Sequence, residues 1–410
     1  MRFTKKVVSI CVIFMFILGT ALPTGLAAEQ QIQINFNGQS YNADFYLEDD
    51  ITYINVDSLK KIPGLEVNEY NYVPLRAFFE GQGATVTWNA QSKVIDISWR
   101  ETNDGWTAND LVVKAEEVLK EYNTYRMAGD GTIDISISGN DAADAFPFDG
   151  MTLAIEGSFS QEPLAMYMKQ TMTMPINFEE MGLTEEELAL MGMDTSMVTE
   201  MVWKDNAIYQ RILPLQEQWI VNNIEDLGMS DTFNDLLQMT PQQNLELMTK
   251  YGVFYTFGDD VEVDGIEYYV VNSTLSADTF RNLMEDMFDD LMPPELLTEE
   301  SDEVSVMIDE IFANINMNFY QQTLINKETL TTDFLIYDMV MSLALADMFS
   351  QEDGLQEDAP ESMLMSMSGV YHLYDFGVEI ELPDVSDAIT QEEYMEQQMQ
   401  LFESLEPEVQ

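Results

Sequence analysis

The sequence predicts an α+β protein: a small β-rich N-terminal module with two short helices, then a large curved antiparallel sheet, a half-barrel, packed on several helices. Three observations predict it. Residues 53–59 repeat at 72–78 with strand-then-helix character, an amphipathic helical stripe starts near Leu111, and long stretches after Arg126 alternate apolar with polar. Period two marks strands with two differently occupied faces, whereas a period near 3.6 marks a helix.

The repeat sets Tyr53-Ile54-Asn55-Val56-Asp57-Ser58-Leu59 over Tyr72-Val73-Pro74-Leu75-Arg76-Ala77-Phe78, and continues with Gly64 over Gly83 and Val67 over Val86. Each copy reads as a short strand, a short helix, a glycine stop and a second strand. One copy alone cannot bury its apolar side, so two copies pair. Val94-Ile95-Asp96-Ile97-Ser98-Trp99 closes the module as an alternating strand. Arg76 is its most distinctive polar residue and is expected to pair with a neighbouring acid. Residues 101–110 read as a polar linker. Thr107 and Asp110 form a weak capping box for the following helix, whose apolar stripe is Leu111, Ala115, Val118, Leu119 and Tyr122.

Within 29–100, three stretches resemble the copper amine oxidase N-terminal-like domain. They are Tyr72-Val73-Pro74-Leu75-Arg76, Gly81-Gln82-Gly83-Ala84-Thr85-Val86-Thr87-Trp88-Asn89 and Lys93-Val94-Ile95-Asp96-Ile97, with Ile34 to Gln39 as the opening strand. The first repeat departs from that pattern, having Asn55 and Asp57 where the family favours Pro and Arg. The resemblance implies an accessory module of the kind found on exported proteins of Gram-positive bacteria, and no copper chemistry.

Further on, Ile133, Ile135 and Ile137 alternate with polar residues, as do Leu153, Ile155 and Phe159, and Met166, Met168, Met172 and Met174 share one face of a long strand with Gln170 between them. More strands are expected at 201–204 and 207–211 around Asp205-Asn206, at 253–257, 265–272, 315–319 and 331–343, and from Met363 to Tyr371. Helices are expected near 184–192, 230–250, 276–291 and 300–313, with an acidic C-terminal helix or tail over 386–410. Lys114 to Lys120 running through Tyr125 into the first strand, Met166-Tyr167-Met168-Lys169, and Gln218-Trp219-Ile220 resemble the LolA/LppX-type lipoprotein carrier fold across 111–385. That resemblance implies a sheet and helices holding acyl chains or other apolar groups between them.

Arg2, Lys5 and Lys6 precede the apolar run Val7–Leu18, and small residues lead to Ala28, so residues 1–28 read as a secretory signal peptide cleaved after Ala28. The uncleaved alternative is a signal anchor, for which the run is short. Cys11, the only cysteine, lies in this segment and lacks a lipobox, so the mature chain has no thiol for disulfides, metal or catalysis. The predicted location is secreted or extracellular, associated with the cell wall, with no transmembrane segment after cleavage. The formal charge of −57, from 74 acidic against 17 basic residues, repels nucleic acid and anionic membranes. The 46% hydrophobic content is too high for a disordered acidic tail.

Methionine supplies 29 of the 410 residues. Its unbranched, polarizable side chain suits surfaces that accept variable apolar shapes. An ordinary sheet–helix core is the commoner use of such a stripe, and soft thioethers also suit Cu(I), though no His or Cys accompanies these pairs. Glu185-Glu186-Glu187, 299–303 and 352–361 read as solvated charge. Asp260 to Gly265 starts like a calcium loop but has Val271 where the loop's closing Glu belongs, and Asp264-Gly265 is instead a hairpin turn. The one histidine, His372, reads as a sheet residue, so no His-based metal site or triad can assemble. No cofactor, metal site, catalytic residue or enzymatic activity is expected. The expected function is a non-catalytic binding protein of the cell envelope, with a lipid or other hydrophobic ligand in a cleft of Met166, Met168, Met172, Met174, Met339, Met341, Met363 and Met365. The alternative is a structural or interaction protein with a filled core, attached to a cell-wall or surface component through its N-terminal module.

Overall fold

The computed structural model describes residues 32–48, 51–68, 71–138, 148–175, 196–224, 239–277, 279–281, 315–344 and 362–397. The signal segment, the helices expected at 184–192 and 300–313 and the three acidic runs lie outside them. Contacts divide the chain into two units interleaved in sequence: Met1–Glu117, Asp231–Ser301 and Met317–Thr331 in one, Val118–Ser230, Asp302–Asn316 and Thr332–Gln410 in the other.

In the first unit, β1 (Gln33–Phe36), β2 (Gln39–Tyr41), β7 (Val94–Ser98) and β6 (Thr85–Asn89) form a sheet ordered β2-β1-β7-β6. A second sheet joins β3 (Phe45–Glu48), β4 (Ile51–Asn55) and β5 (Tyr72–Pro74). The repeat is visible as β4 leading into helix α1 (Val56–Leu59) and β5 into α2 (Leu75–Gly81). The two copies pair antiparallel, Ile54 opposite Val73, and both of these side chains enter the core. Each helix is followed by a left-handed glycine, Gly64 at φ +74° and Gly83 at φ +84°. Such backbone is open to glycine at no steric cost. The copies then diverge. The second continues into β6, while Leu65 and Val67 of the first pack on the core without entering a ladder. Arg76 pairs with Glu80 at 2.9 Å and donates to the Val86 carbonyl at 2.6 Å, the structural role expected of it.

Residues 101–110 are ordered around a small hairpin of β8 (Thr102–Asn103) and β9 (Trp106–Thr107). Lys327 holds it from outside, reaching Asp104 at 3.3 Å and Asp260 at 2.6 Å. Thr107 then caps α3 (Ala108–Tyr122): the Asp110 N–H donates to Thr107 Oγ1 at 3.1 Å, and the Thr107 hydroxyl donates to Asp110 Oδ2 at 2.8 Å. Leu111 and Ala115 of the stripe are buried against Phe257, Tyr269, Val271 and Ile325. The expected 230–250 helix is described as α4 (Pro241–Lys250), started by a reciprocal Thr240–Gln243 capping box. Beyond it, β16 (Tyr255–Phe257), β17 (Val261–Val263) and β19 (Ile315–Asn326) all pair with β18 (Ile266–Ser276). Asp264 and Gly265 both take positive φ in the β17–β18 turn, as a type I′ hairpin requires.

The second unit is a long sheet ordered β20 (Thr332–Ala344), β21 (Ser362–Tyr374), β10 (Thr124–Ser138), β11 (Phe148–Ser160), β12 (Ala165–Thr173), β13 (Ser196–Lys204), β14 (Ala207–Leu213), β15 (Gln216–Asn223), β22 (Ile389–Thr390). Every pairing in it is antiparallel except β15 with β22. Asp205 and Asn206 turn β13 into β14 with positive φ at both positions.

The paired glycines give a direct test of backbone against packing. In urea titrations Gly83→Ala is expected to lose about 1 kcal/mol, the cost of a Cβ on left-handed backbone, since nothing lies within 4 Å of it. Gly64→Ala is expected to lose about 2–3 kcal/mol. Its Cβ would meet Asn272 Nδ2 at 2.9 Å, and Asn272 is buried and fixed by Tyr320 and Gln322. Equal losses would contradict the packing half of this account.

Candidate functional site

In an antiparallel pair, directly opposite residues project from the same side of the sheet, and every second residue along a strand joins them. The observed register therefore says which side chains share a face. Met339, Met341 and Leu343 stand opposite Met367, Met365 and Met363, which stand in turn opposite Ile133, Ile135 and Ile137. Ile133 faces Met151 and Gly131 faces Leu153; Leu153 is followed outward by Met172 and then Met197. Another row runs Met127, Gly157, Met168, Met201. Met166 pairs with Trp203 on the same side, and Met174, just past the strand, packs against the same cluster.

All eight methionines singled out from the sequence thus lie on one face. Ile133, Met151, Leu153 and Ile155 are buried at its centre, with Met168, Met172, Met174 and Met365 half-buried around them. Met127, Met151, Met197, Met201 and Met367 share the face and were not picked out as site residues. Strand parity would have found Met367, two residues beyond Met365, but placing Met127 beside Gly157 and Met168 needs the register.

The same face has an aromatic end. Tyr337 and Tyr371 stack with centroids 5.0 Å apart, the Tyr371 hydroxyl donating to Tyr337 at 3.3 Å. They lie where the sheet has no side chains of its own: a Cβ on Gly369 would come within 2.6 Å of the Tyr337 hydroxyl, and one on Gly129 would strike the Tyr371 ring. Burial raises the pKa of both phenols, and that of Tyr371 is raised further by Tyr337. Tyr125, stacked on Phe159 at 4.8 Å, is pushed up by burial to about 12.

The reverse face has the opposite chemistry. Thr132 stands opposite Ser368 on one side and Thr152 on the other, and Thr152 opposite Thr173. An open depression of about 460 Å³ lies here, lined by Asp130, Thr132, Thr152, Thr171 and Ser368 among others. His372 is an exposed sheet residue stacked on Phe334 at 4.6 Å. Towards β13–β15 this reverse face is covered: Leu382, Val385 and Ala388 pack on Val202, Tyr209 and Trp219. On the same face Glu200 accepts from the Tyr167 hydroxyl at 2.6 Å and from Arg211 at 2.6 Å, while the guanidinium sits 4.5 Å over the Trp219 ring. A nearly buried carboxylate with both oxygens bonded to fixed donors holds structure together. Among the described residues no three His, Cys, Asp or Glu side chains gather as a cation site, and no helix is long and apolar enough to cross a membrane.

A family model described as "Family of unknown function (DUF6612)" matches residues 107–392. No curated protein matches the sequence. Among solved structures the chain is similar to lipoprotein LppX of Mycobacterium tuberculosis, at 10% identity and TM-score 0.29, covering 67% of this chain and 98% of that one. It is also similar to LprF of Mycobacterium bovis, at 8% identity and TM-score 0.25 over 68% and 96%. A DUF1329 family protein of Desulfovibrio piger gives 10% identity and TM-score 0.20 over 66% and 93%. Likenesses this loose assign neither a fold nor a ligand to the chain.

The buried phenols set an alkaline limit. The unfolded chain releases tyrosine protons near pH 10, whereas the folded chain holds that of Tyr125 to about 12. Stability is therefore complete below pH 10 and falls through this window, by up to about 1.4 kcal/mol per pH unit for each such tyrosine. Denaturant midpoints measured from pH 8 to 12 should be level to pH 10 and decline beyond it; a midpoint that stays level to pH 12 contradicts the assignment.

Proposed function

The chain belongs to the DUF6612 family, and from that premise we propose that it is an exported, non-catalytic binding protein. It takes an apolar ligand, a lipid or acyl chain, against the methionine face of its long sheet. One observation carries the reading: methionine stands opposite methionine across the strands, Met339 by Met367, Met341 by Met365, Met168 by Met201 and Met172 by Met197. Adjacent flexible thioethers specify a fixed core poorly, because each has three rotatable bonds and no branch to lock it. They suit an occupant whose shape varies. The eight methionines named from the sequence are its contact residues, and the reading needs the sheet to curve around them as a half-barrel. On this reading residues 1–28 are removed after Ala28 and the mature protein lies outside the cell, so Edman sequencing of the secreted form should begin at Glu29.

The mature protein, purified and extracted with organic solvent, is expected to yield a co-purifying apolar molecule by mass spectrometry. After extraction it should bind Nile red, and a Met339→Ser/Met365→Ser pair should weaken that binding at least tenfold. Val340→Ser, one residue along β20 but exposed on the reverse face, should leave it unchanged. A protein that yields no such molecule and binds no dye has a filled core, and the alternative of an attached structural protein then takes its place.

A further inference from the structure

The sequence repeat leaves a second feature that the methionine face does not use. Because β4 and β5 pair with Ile54 opposite Val73 in the core, the flanking Tyr53 and Tyr72, equivalent positions of the two copies, emerge together on the outer side. Tyr46 of β3 stands opposite Tyr53 and joins them. Tyr46 stacks on Tyr53 at 5.1 Å with the rings 8° from parallel, and meets Tyr72 edge-on at 5.0 Å. Tyr46 is 41% exposed and Tyr72 37%. A carboxylate completes the cluster: Asp44 accepts from the Tyr72 hydroxyl at 2.5 Å and from Asn55 Nδ2 at 2.9 Å. Both bonds favour the ionised form and lower its pKa. Two tyrosines could steady so small a sheet by stacking alone, but that role needs neither the third ring nor an ionised acceptor bonded to one of them.

We propose that Tyr46, Tyr53, Tyr72 and Asp44 form a polysaccharide-binding platform on the N-terminal module, stacking the apolar face of a pyranose ring on exposed tyrosine and accepting sugar hydroxyls at Asp44. Three features select this occupant. Tyr46 and Tyr53 lie parallel and Tyr72 meets Tyr46 edge-on, so the rings enclose no box for an ammonium group, and the outward parts of Tyr46 and Tyr72 are left to meet a flat sugar. The chain's formal charge of −57 turns away polyanions, leaving neutral or amino sugars. The exposed area of three rings falls well short of the about 800 Å² per partner that a stable protein interface buries. The platform is independent of the methionine face and holds whether or not that face is occupied.

The test uses the full mature protein, mixed with insoluble chitin and with peptidoglycan stripped of its anionic polymers. Wild type should pellet with at least one of them and be released by excess soluble N-acetylglucosamine oligomers. Tyr46→Ala should pellet at least tenfold less, Tyr46→Phe should pellet like wild type, and Asp44→Asn should fall between. Met339→Ser/Met365→Ser should pellet normally, which separates this site from the lipid reading. Should Tyr46→Ala fail to fold by circular dichroism, the displacement experiment on wild type decides. Pelleting that glycan oligomers do not displace, displacement by choline instead, pelleting unchanged in a folded Tyr46→Ala, or no pelleting at all would each overturn the proposal.

Discussion

Antiparallel pairing sets most residues of β20, β21, β10 and β11 directly opposite a partner that leaves the sheet on the same side, with one bulge between β10 and β11 at Ile133–Ile135, and the rest of the second unit depends on this constraint. Slipping any one of these strands by a single residue would turn its whole methionine or isoleucine set over to the polar face. The register is held from both sides at once. Isoleucines and methionines meet across the strands on one face, while Thr132 bonds Ser368 and Ser138 bonds Ser362 on the other. Gly129, Gly131 and Gly369 fix it further, because Tyr337 and Tyr371 fit over the sheet only where no Cβ stands in the way.

One sheet thereby acquires two surfaces of different mechanical character. The centre of the apolar face is built from Ile133, Leu153 and Ile155, which are branched and hold few rotamers, with Met151 buried among them. Around it, thioethers adjoin one another, and the surface there can adapt without disturbing the centre. On the reverse face Glu200 is held by Arg211 and Tyr167, and Tyr167 packs in the cluster that includes Val385. Charge is thus kept away from the methionines and satisfied where it is buried.

Much of this was legible in the sequence because its signals are local. Alternation marked β10, β11, β12, β20 and β21, the pairs Asp205-Asn206 and Asp264-Gly265 marked their turns, and Thr107 marked the start of α3. Alternation put Met166, Met168 and Met172 on one face of β12, as the register has them, while Met174, expected on the same strand, lies just past its end. What was hidden is non-local. Nothing near residues 362–374 says that β21 pairs with β10, since that pairing joins segments far apart in the chain. The joining of residues 231–301 and 317–331 to the N-terminal module was hidden for the same reason. Gln39 reaches the Val253 carbonyl at 3.0 Å, and Phe254 inserts among Phe36 and Tyr41, contacts that no composition shift announces. The tyrosine cluster needed both the repeat and its pairing register before its three rings could be seen to meet.

The central claim is that the methionine face is a surface that responds to an occupant. Methyl-labelled methionine spectra, recorded on the extracted mature protein during titration with a long-chain fatty alcohol, test it directly. The account predicts that the methyl resonances of Met168, Met339, Met341 and Met365 move together and saturate, while that of Met395, exposed elsewhere on the chain, stays in place. Methionine resonances of the face that do not respond at any concentration of the alcohol would contradict it.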